Sequence, residues 1–476
     1  MRTRNGFMAL LLALAAAAGC AINPVTGERE LALISEEQEV AMGREAAEQI
    51  RAALGFVEDE DLQRYVSDVG LALARDSERP ELPWEFHVVD DPVPNAFALP
   101  GGFIYLTRGM VNLMESEAEL AAVLGHEIGH VTARHTVNQL SRAQLAQLGL
   151  GLGMILSPEI AQYGDLANTG LGLLFLKYGR DDERQADELG FRYMLDNGYE
   201  VREMADVFAA LQASGALAGR SPTPSWLASH PSEPDRIAAA EERVAALGRI
   251  EQPLKVNADE FLARIDGLVY GADPRHGYFD DGMFYHPELA FQFIVPEDWQ
   301  KQNMTSAVVA VSPEQDAALQ LTLAQGDAAD AAREFFSQNG VAEAGSDRTR
   351  INGRTAIVSR FQAQTQQSAV QGLVAHIEYG DATYRLVTYA PPGAYAARER
   401  LFTEVIRSFA PVTDRDVLRV EPQRLEVVEI DRDMTLREFD DRYPSAIPIE
   451  ELAVINQVEG ADAGLGRGAK VKRVVG

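Results

Sequence analysis

The chain has a single cysteine, Cys20, in 476 residues. One thiol excludes an internal disulfide framework, so the fold must hold together by packing alone. Basic residues are scarce as well: 43 Lys and Arg stand against 72 Asp and Glu, a formal charge of -29. A surface of that sign repels phosphate backbones, and no basic stripe offsets it, so nucleic acid is excluded as an expected partner. Long apolar runs are missing too. Phe7 to Ala18 spans about a dozen residues, short of the roughly 20 that a membrane-spanning helix needs. The Gly- and Leu-rich stretch Leu145 to Leu176 is interrupted by Ser157-Pro158-Glu159 and by Gln162 to Asp165, so a span is not expected there either.

What is present begins at the N-terminus. Arg2 and Arg4 precede the short apolar run, which ends in Ala17-Ala18-Gly19 before Cys20. This is the form of a secretory signal with a lipoprotein processing site, although Ala17 stands where leucine is commoner. Residues 1–19 are expected to be the signal peptide and 20–34 a lipid anchor and linker, with Cys20 lipidated. Two acyl chains on one cysteine give stable anchoring. Ala21 follows the cysteine instead of aspartate, which by resemblance to Gram-negative lipoproteins favours the periplasmic face of the outer membrane.

Helical periodicity starts at Ser35, where Ser35 and Gln38 have capping-box spacing, and a second helix is expected near Glu60 to Ala74. Trp84 to Val89 reads as a strand, and Ala96 to Leu106 as a hairpin with Pro100-Gly101-Gly102 at its turn. A long helix is expected from Ser116, and helices resume from Asp181 to about Leu247. After Pro253 the character changes to alternating strands with Asn352-Gly353 and Gly380-Asp381 as turns, then a helix near Ala396 to Phe409. The fold class is α+β and multidomain: a mainly helical domain with a small antiparallel sheet at 35–250, a linker at 251–284, an antiparallel α+β domain at 285–411, a linker at 412–424 and a small module at 425–476.

The chemistry lies in His126-Glu127-Ile128-Gly129-His130. Residues four apart on a helix differ by about 40° around its axis, so both imidazoles can reach one tetrahedral ion. Glu127 sits at the edge of that face, placed as general base for an attacking water. With only 8 histidines in the chain, this spacing arises by chance in about one such sequence in a hundred. A catalytic zinc takes a third protein ligand and keeps a position open. His135 lies about 140° from His130 around a continuous helix and reads as a core histidine or one supporting a ligand from behind. Glu183 and Asp187, again four apart, supply a better candidate: Glu183 as metal ligand, and Asp187 as acceptor for the outer N–H of a ligating histidine.

Four motifs in order carry a family resemblance: Asn95-Ala96-Phe97-Ala98-Leu99-Pro100-Gly101-Gly102; His126 to His130 with Val131-Thr132-Ala133-Arg134-His135; Glu183 to Asp187; and Ser229-His230-Pro231 with Arg236-Ile237. The region from Asn23 to Leu247 resembles the peptidase domain of the zinc metallopeptidases that include HtpX, BepA and the CAAX prenyl proteases. The resemblance implies a glutamate zincin with one Zn2+ per chain on His126, His130 and Glu183, and Glu127 as catalytic base. It also implies that His230 lies near the metal, as an oxyanion stabiliser or as a cap in a latent state, with Arg236 in the same neighbourhood. In this reading the strand Asn95, Ala96, Phe97, Ala98 grips extended substrate backbone, and Leu145 to Leu176 is a mobile cover over the site.

Residues 285–411 loosely resemble the PsbP/Mog1-type α+β fold, with a binding or scaffolding role, and 425–476 weakly resemble a LysM glycan-binding module with a degenerate opening at Arg432 to Leu436. The expectation is a lipid-anchored envelope endopeptidase acting on misfolded or misassembled proteins, with peptidoglycan as a further partner of the last module. The alternatives are an outer-membrane assembly factor or chaperone with a latent protease site, and a cell-wall hydrolase.

Overall fold

A computed structural model describes residues 20–31, 33–150, 176–218, 226–230, 235–248, 253–364 and 369–476. The expected signal segment 1–19 and most of the expected cover, 151–175, lie outside the described residues. The chain divides into two units: one formed by residues up to 51, 55–272 and 423–476, the other by 52–54 and 273–422.

In the first unit, a short ribbon pairs β1 (Cys20–Ile22) with β2 (Arg29–Leu31). Helix α1 (Glu36–Leu54) opens with the expected capping box at Ser35, and α2 (Glu60–Arg75) is capped by Asp59. A three-stranded sheet follows in the order β3 (Glu85–Val89), β5 (Phe103–Thr107), β4 (Ala96–Leu99). Strands β4 and β5 form the expected antiparallel hairpin, while β3 runs parallel to β5, so the sheet is mixed. Gly101 at the hairpin turn has φ +84°, a left-handed conformation that glycine adopts without strain.

The short helix α3 (Arg108–Leu113) leads into α4 (Glu117–Thr132), where Ser116 accepts the N–H of Glu119 as N-cap. Every residue of α4 is buried, so this helix forms the centre of the unit. Then come α5 (His135–Leu150), α6 (Arg180–Asp196), α7 (Glu203–Ala218), the four-residue α8 (Trp226–Ser229), α9 (Asp235–Ala246) and α10 (Ala258–Ile265). Residues 251–284, read from sequence as a linker, thus contain a helix that buries Phe261, Leu262 and Ile265 in the core of this unit.

The segment 423–476 belongs to the same body. Its strand Arg424–Glu429 pairs antiparallel with Lys470–Val475, and the helices Leu436–Arg442 and Ile449–Ile455 pack between them in sequence. Leu425, Leu436, Phe439, Leu452, Val471 and Val474 join the same apolar cluster as α2, α4 and α7. The backbone of Leu425 bonds to both Gly267 and Leu268, and Tyr270 N donates to Gln423 O at 2.7 Å.

Besides a four-stranded sheet in the order 410–411, 291–294, 283–286, 278–280, the second unit contains a seven-stranded antiparallel sheet, in the order 341–351, 354–364, 369–379, 382–390, 318–324, 307–311, 300–304. Helix Pro392–Ser408 buries Phe402, Val405 and Ile406 against it, while Phe335 of the helix Ala328–Ser337 packs with Phe361 and Val374. His376 accepts from Arg385 Nε at 3.1 Å and His286 from Leu289 N at 3.2 Å; burial pushes each down to about 4. No helix among the described residues is long and apolar enough to cross a membrane. Both units together give the α+β class expected from the sequence.

Candidate metal centre

Two helices meet where they carry their smallest residues. A Cβ built on Gly190 of α6 would lie 2.8 Å from the backbone N of His126 on α4, and one on Gly129 would lie 3.0 Å from Ala186 Cα. With no side chains to hold them apart, α4 and α6 come close enough for His126 and His130 on one helix to face Glu183 and Asp187 on the other. His230, from the end of α8, completes the group: ligand atoms of His126, His130, Glu183 and His230 all lie within 4.8 Å of one another, and all four residues are buried.

The spacings suit a tetrahedral ion. Zinc bonds of about 2.0–2.1 Å place neighbouring donor atoms roughly 3.3–3.4 Å apart. Here His126 Nε2 lies 3.0 Å from His130 Nε2 and 3.2 Å from His230 Nδ1. Glu183 lies 3.6 Å from the Nε2 of both His126 and His130, and 2.9 Å from His230 Nδ1. Three imidazoles and a carboxylate are a donor set that zinc accepts.

Around these atoms sits a shell that sets their orientation. His126 Nδ1 is 2.9 Å from Asp187 Oδ1, so the ring donates there and keeps its Nε2 lone pair toward the centre. Arg236 clamps Asp187 with two bonds, Nε to Oδ2 at 2.9 Å and Nη2 to Oδ1 at 2.6 Å, and its Nη1 reaches Glu183 Oε2 at 3.0 Å. Burial works against the Asp187 charge, but Arg236 and His126 outweigh it and hold the carboxyl well below its usual range. Glu183 is likewise held low against its burial by His230, His126 and Arg236. Burial lowers His126; burial, with the unfavourable proximity of His126, His135, His230 and Arg236 to a second positive charge, lowers His130 well below its usual value. At neutral pH both rings are therefore neutral, the form that binds metal.

Glu127 is buried beside the donors, with Oε1 at 3.5 Å from His230 Nε2. Both its carboxylate oxygens lack a hydrogen-bond partner among the described residues. Burial, reinforced by Glu183 and opposed by His230 and Arg236, pushes its carboxyl up to about 7. A carboxylate with open acceptor positions and a pKa near neutrality is suited to taking up a proton and returning it.

The expected strand is at an edge: β4 is the outer strand of its sheet, and Trp226 N donates to Pro94 O at 3.2 Å, which ties the helix bearing His230 to the chain entering β4. Asn95, Ala96, Phe97 and Ala98 are all buried. Cys20 begins β1.

Sequence reasoning missed two aromatic neighbours. The Tyr178 ring stacks on His130 at 3.9 Å, and Trp226 stacks on His230 at 4.1 Å. Trp226 stands four residues before His230, a helical spacing visible in the sequence. Tyr178 lies in an irregular stretch where no periodicity marks it. His135 is buried and supports a ligand from behind, as expected, its Nδ1 2.9 Å from His130 Nδ1, but it reaches that place by a route that helical geometry did not give. The chain turns back at Arg134, which has φ +60°, so the assumption of one continuous helix fails there.

Residues 60–244 match the model of Peptidase family M48. The chain is 30% identical over 262 residues to the beta-barrel assembly-enhancing protease of Yersinia pestis, covering 52% of each protein. It is 32% identical over 208 residues to the mitochondrial metalloendopeptidase OMA1 of Arabidopsis thaliana, covering 43% of this chain and 39% of that one. The chain thus spans about half or less of these relatives' length. Among solved structures, cyanobacterial PsbP of Synechocystis sp. PCC 6803 aligns with 27% of this chain and 91% of its own at 14% identity and a TM-score of 0.24. The family match and the converging donors make the segment 60–244 a metalloendopeptidase domain, a hydrolase by class.

Proposed function

We propose that this chain, with its M48 peptidase segment, is as a whole protein a zinc-dependent endopeptidase of the bacterial cell envelope that hydrolyses misfolded or misassembled envelope proteins. The observation that carries the reading is the convergence of His126, His130, Glu183 and His230 within 4.8 Å beside a buried Glu127 whose oxygens accept no hydrogen bond among the described residues. The envelope setting is supported by similarity to a protease whose name places it at β-barrel assembly, and by the lipoprotein form of the sequence around Cys20.

His126, His130 and Glu183 would hold the zinc. Bound there, the ion supplies Lewis acidity that polarises the scissile carbonyl and lowers the pKa of water to about 7. Glu127 takes the proton of the attacking water and delivers it to the leaving amine. His230 Nε2, 3.5 Å from Glu127, is placed to donate to the developing oxyanion. Asp187 and Arg236 keep His126 in the tautomer that leaves Nε2 free. The edge strand β4, buried as it stands, would receive the substrate as an added strand once uncovered; main-chain pairing tolerates varied side chains, as a quality-control protease requires.

A second reading, an assembly factor with a latent site, is favoured by one distance: His230 Nδ1 lies 2.9 Å from Glu183 and 3.2 Å from His126 Nε2. In that position His230 can occupy the fourth metal site and exclude substrate water. The test compares wild type with Glu127→Gln on an unfolded outer-membrane protein. Proteolysis that a chelator abolishes, that zinc restores and that Glu127→Gln lacks supports the endopeptidase. Inert wild-type protein that becomes proteolytic on His230→Ala identifies the latent form, and equal cleavage by wild type and Glu127→Gln refutes both.

A further inference from the structure

We propose that Gln185 and His135 form a hydrogen-bonded relay that fixes the tautomer of His130 and so presents its Nε2 lone pair to the metal. The inference rests on His130 being a ligand, as in the preceding reading.

The geometry begins with the end of α4. Ala133 N closes onto Gly129 O at 3.0 Å, and Arg134 then takes its left-handed conformation, φ +60°. Arg134 is held there by two bonds at 2.9 Å, from Nε to Glu39 Oε2 and from Nη2 to Ile34 O. Glu39 is itself buried and bonded to Arg79, whose Nη1 also donates to Val131 O at 3.0 Å. This fixed turn brings His135 back over the ligand helix, 3% exposed. Its Nδ1 lies 2.9 Å from His130 Nδ1, and its Nε2 lies 2.9 Å from Gln185 Oε1.

The protons along this line have one consistent order. An amide oxygen only accepts, so the hydrogen on His135 is at Nε2. A neutral imidazole protonated at Nε2 has a bare Nδ1, which accepts. His130 Nδ1 therefore donates to it, and His130 Nε2 is bare, 3.0 Å from the Nε2 of His126. Asp182 Oδ1, 3.8 Å from His135 Nε2, draws the proton to the same nitrogen. The reverse order would aim an N–H of His130 into the metal position. The two histidine ligands are thus supported differently: His126 by a carboxylate, His130 by an imidazole that relays a glutamine. Gln185 stands between Glu183 and Asp187 in sequence, so one helix supplies a ligand, the outer partner of His126 and the acceptor at the far end of the His130 relay.

The test uses the full-length protein labelled with 15N-histidine, as wild type, Gln185→Leu, Gln185→Glu and His135→Phe. Long-range 1H–15N correlation reads the His130 tautomer without metal, and competition with a chelator reads zinc affinity. Wild type should show His130 protonated at Nδ1. Gln185→Leu should mix the tautomers and weaken zinc by about 10- to 100-fold, the usual cost of losing an outer partner of a ligating histidine. Gln185→Glu, which keeps an acceptor, should restore both. His135→Phe should behave as Gln185→Leu does; if it fails to fold, the half-buried Gln185 decides alone. An unchanged tautomer with unchanged affinity in Gln185→Leu overturns the relay and leaves the metal site standing. Wild type that binds no zinc overturns the site and the relay together.

Discussion

The ammonium of Lys472, fully buried, lies 2.9 Å from the Glu115 carboxylate. It also donates to the carbonyl oxygens of Asn112, Leu113 and Met114 at 3.1, 3.3 and 2.8 Å. Lys472 comes from the final strand of the chain, and its partners form the bend between α3 and the metal helix α4. Gln457 strengthens the same bend, with Nε2 donating to Leu113 O at 3.2 Å and to Glu119 Oε2 at 2.9 Å. The C-terminal segment is therefore part of the peptidase unit's support, whatever else it binds.

Replacing Lys472 by Met should destabilise the protein by about 3 kcal/mol. That is the lower end of the range for leaving a buried charge without its partner, because Glu115 keeps 24% of its side chain exposed. Adding Glu115→Gln should recover much of the loss. Urea unfolding of the single and double variants checks both; a Lys472→Met midpoint equal to wild type would show that the pair contributes nothing.

Glu183→Ala should lose stoichiometric zinc while keeping its fold, since Arg236 retains its two bonds to Asp187. Elemental analysis beside wild type reads this directly. Full zinc occupancy in the variant removes Glu183 from the ligand set.

The small residues at the helix crossing make a separate prediction. Gly190→Ala places a methyl group 2.8 Å from the backbone N of His126 and 3.0 Å from Gly125 C. Backbone cannot yield as a side chain would, so α6 must move away from α4. A loss of about 1–3 kcal/mol is expected, together with weaker zinc binding, because Glu183 and Asp187 ride on the displaced helix. Gly393→Ala, where nothing lies within 4 Å of the new Cβ, should leave both quantities unchanged and serves as the control.

Much of this site was legible because helical periodicity converts spacing into direction. His126 with His130, and Glu183 with Asp187, could be placed on common faces from sequence alone, and Ser35 and Ser116 marked helix starts that the structure contains. What was not legible depends on where the backbone departs from regularity. One left-handed residue, Arg134, turned His135 from a distant face to contact with His130. The last segment could be bounded at 425–476 from sequence, but that its Leu425 and Val471 share a core with α4 could not be read there. The Gly125, Gly129, Ala186 and Gly190 contact was visible only as scattered small residues until both helices were in place.

The last prediction concerns pH. Burial, with help from Glu115 and against the hydrogen bonds from Glu115 N and Gln457, raises Glu119 from 4.5 to about 8. Lys472 opposes that rise without cancelling it. Between those two values the unfolded chain has lost this proton and the folded chain still holds it. The unfolded state then binds fewer protons, so stability falls as pH rises through that window and levels off above it. Glu119→Gln keeps an acceptor for both hydrogen bonds and removes the titration. Its melting temperature should match wild type near pH 4 and exceed it by several degrees at pH 9. A difference that does not change with pH would mean that Glu119 is ionised in the folded protein throughout, with Lys472 outweighing its burial.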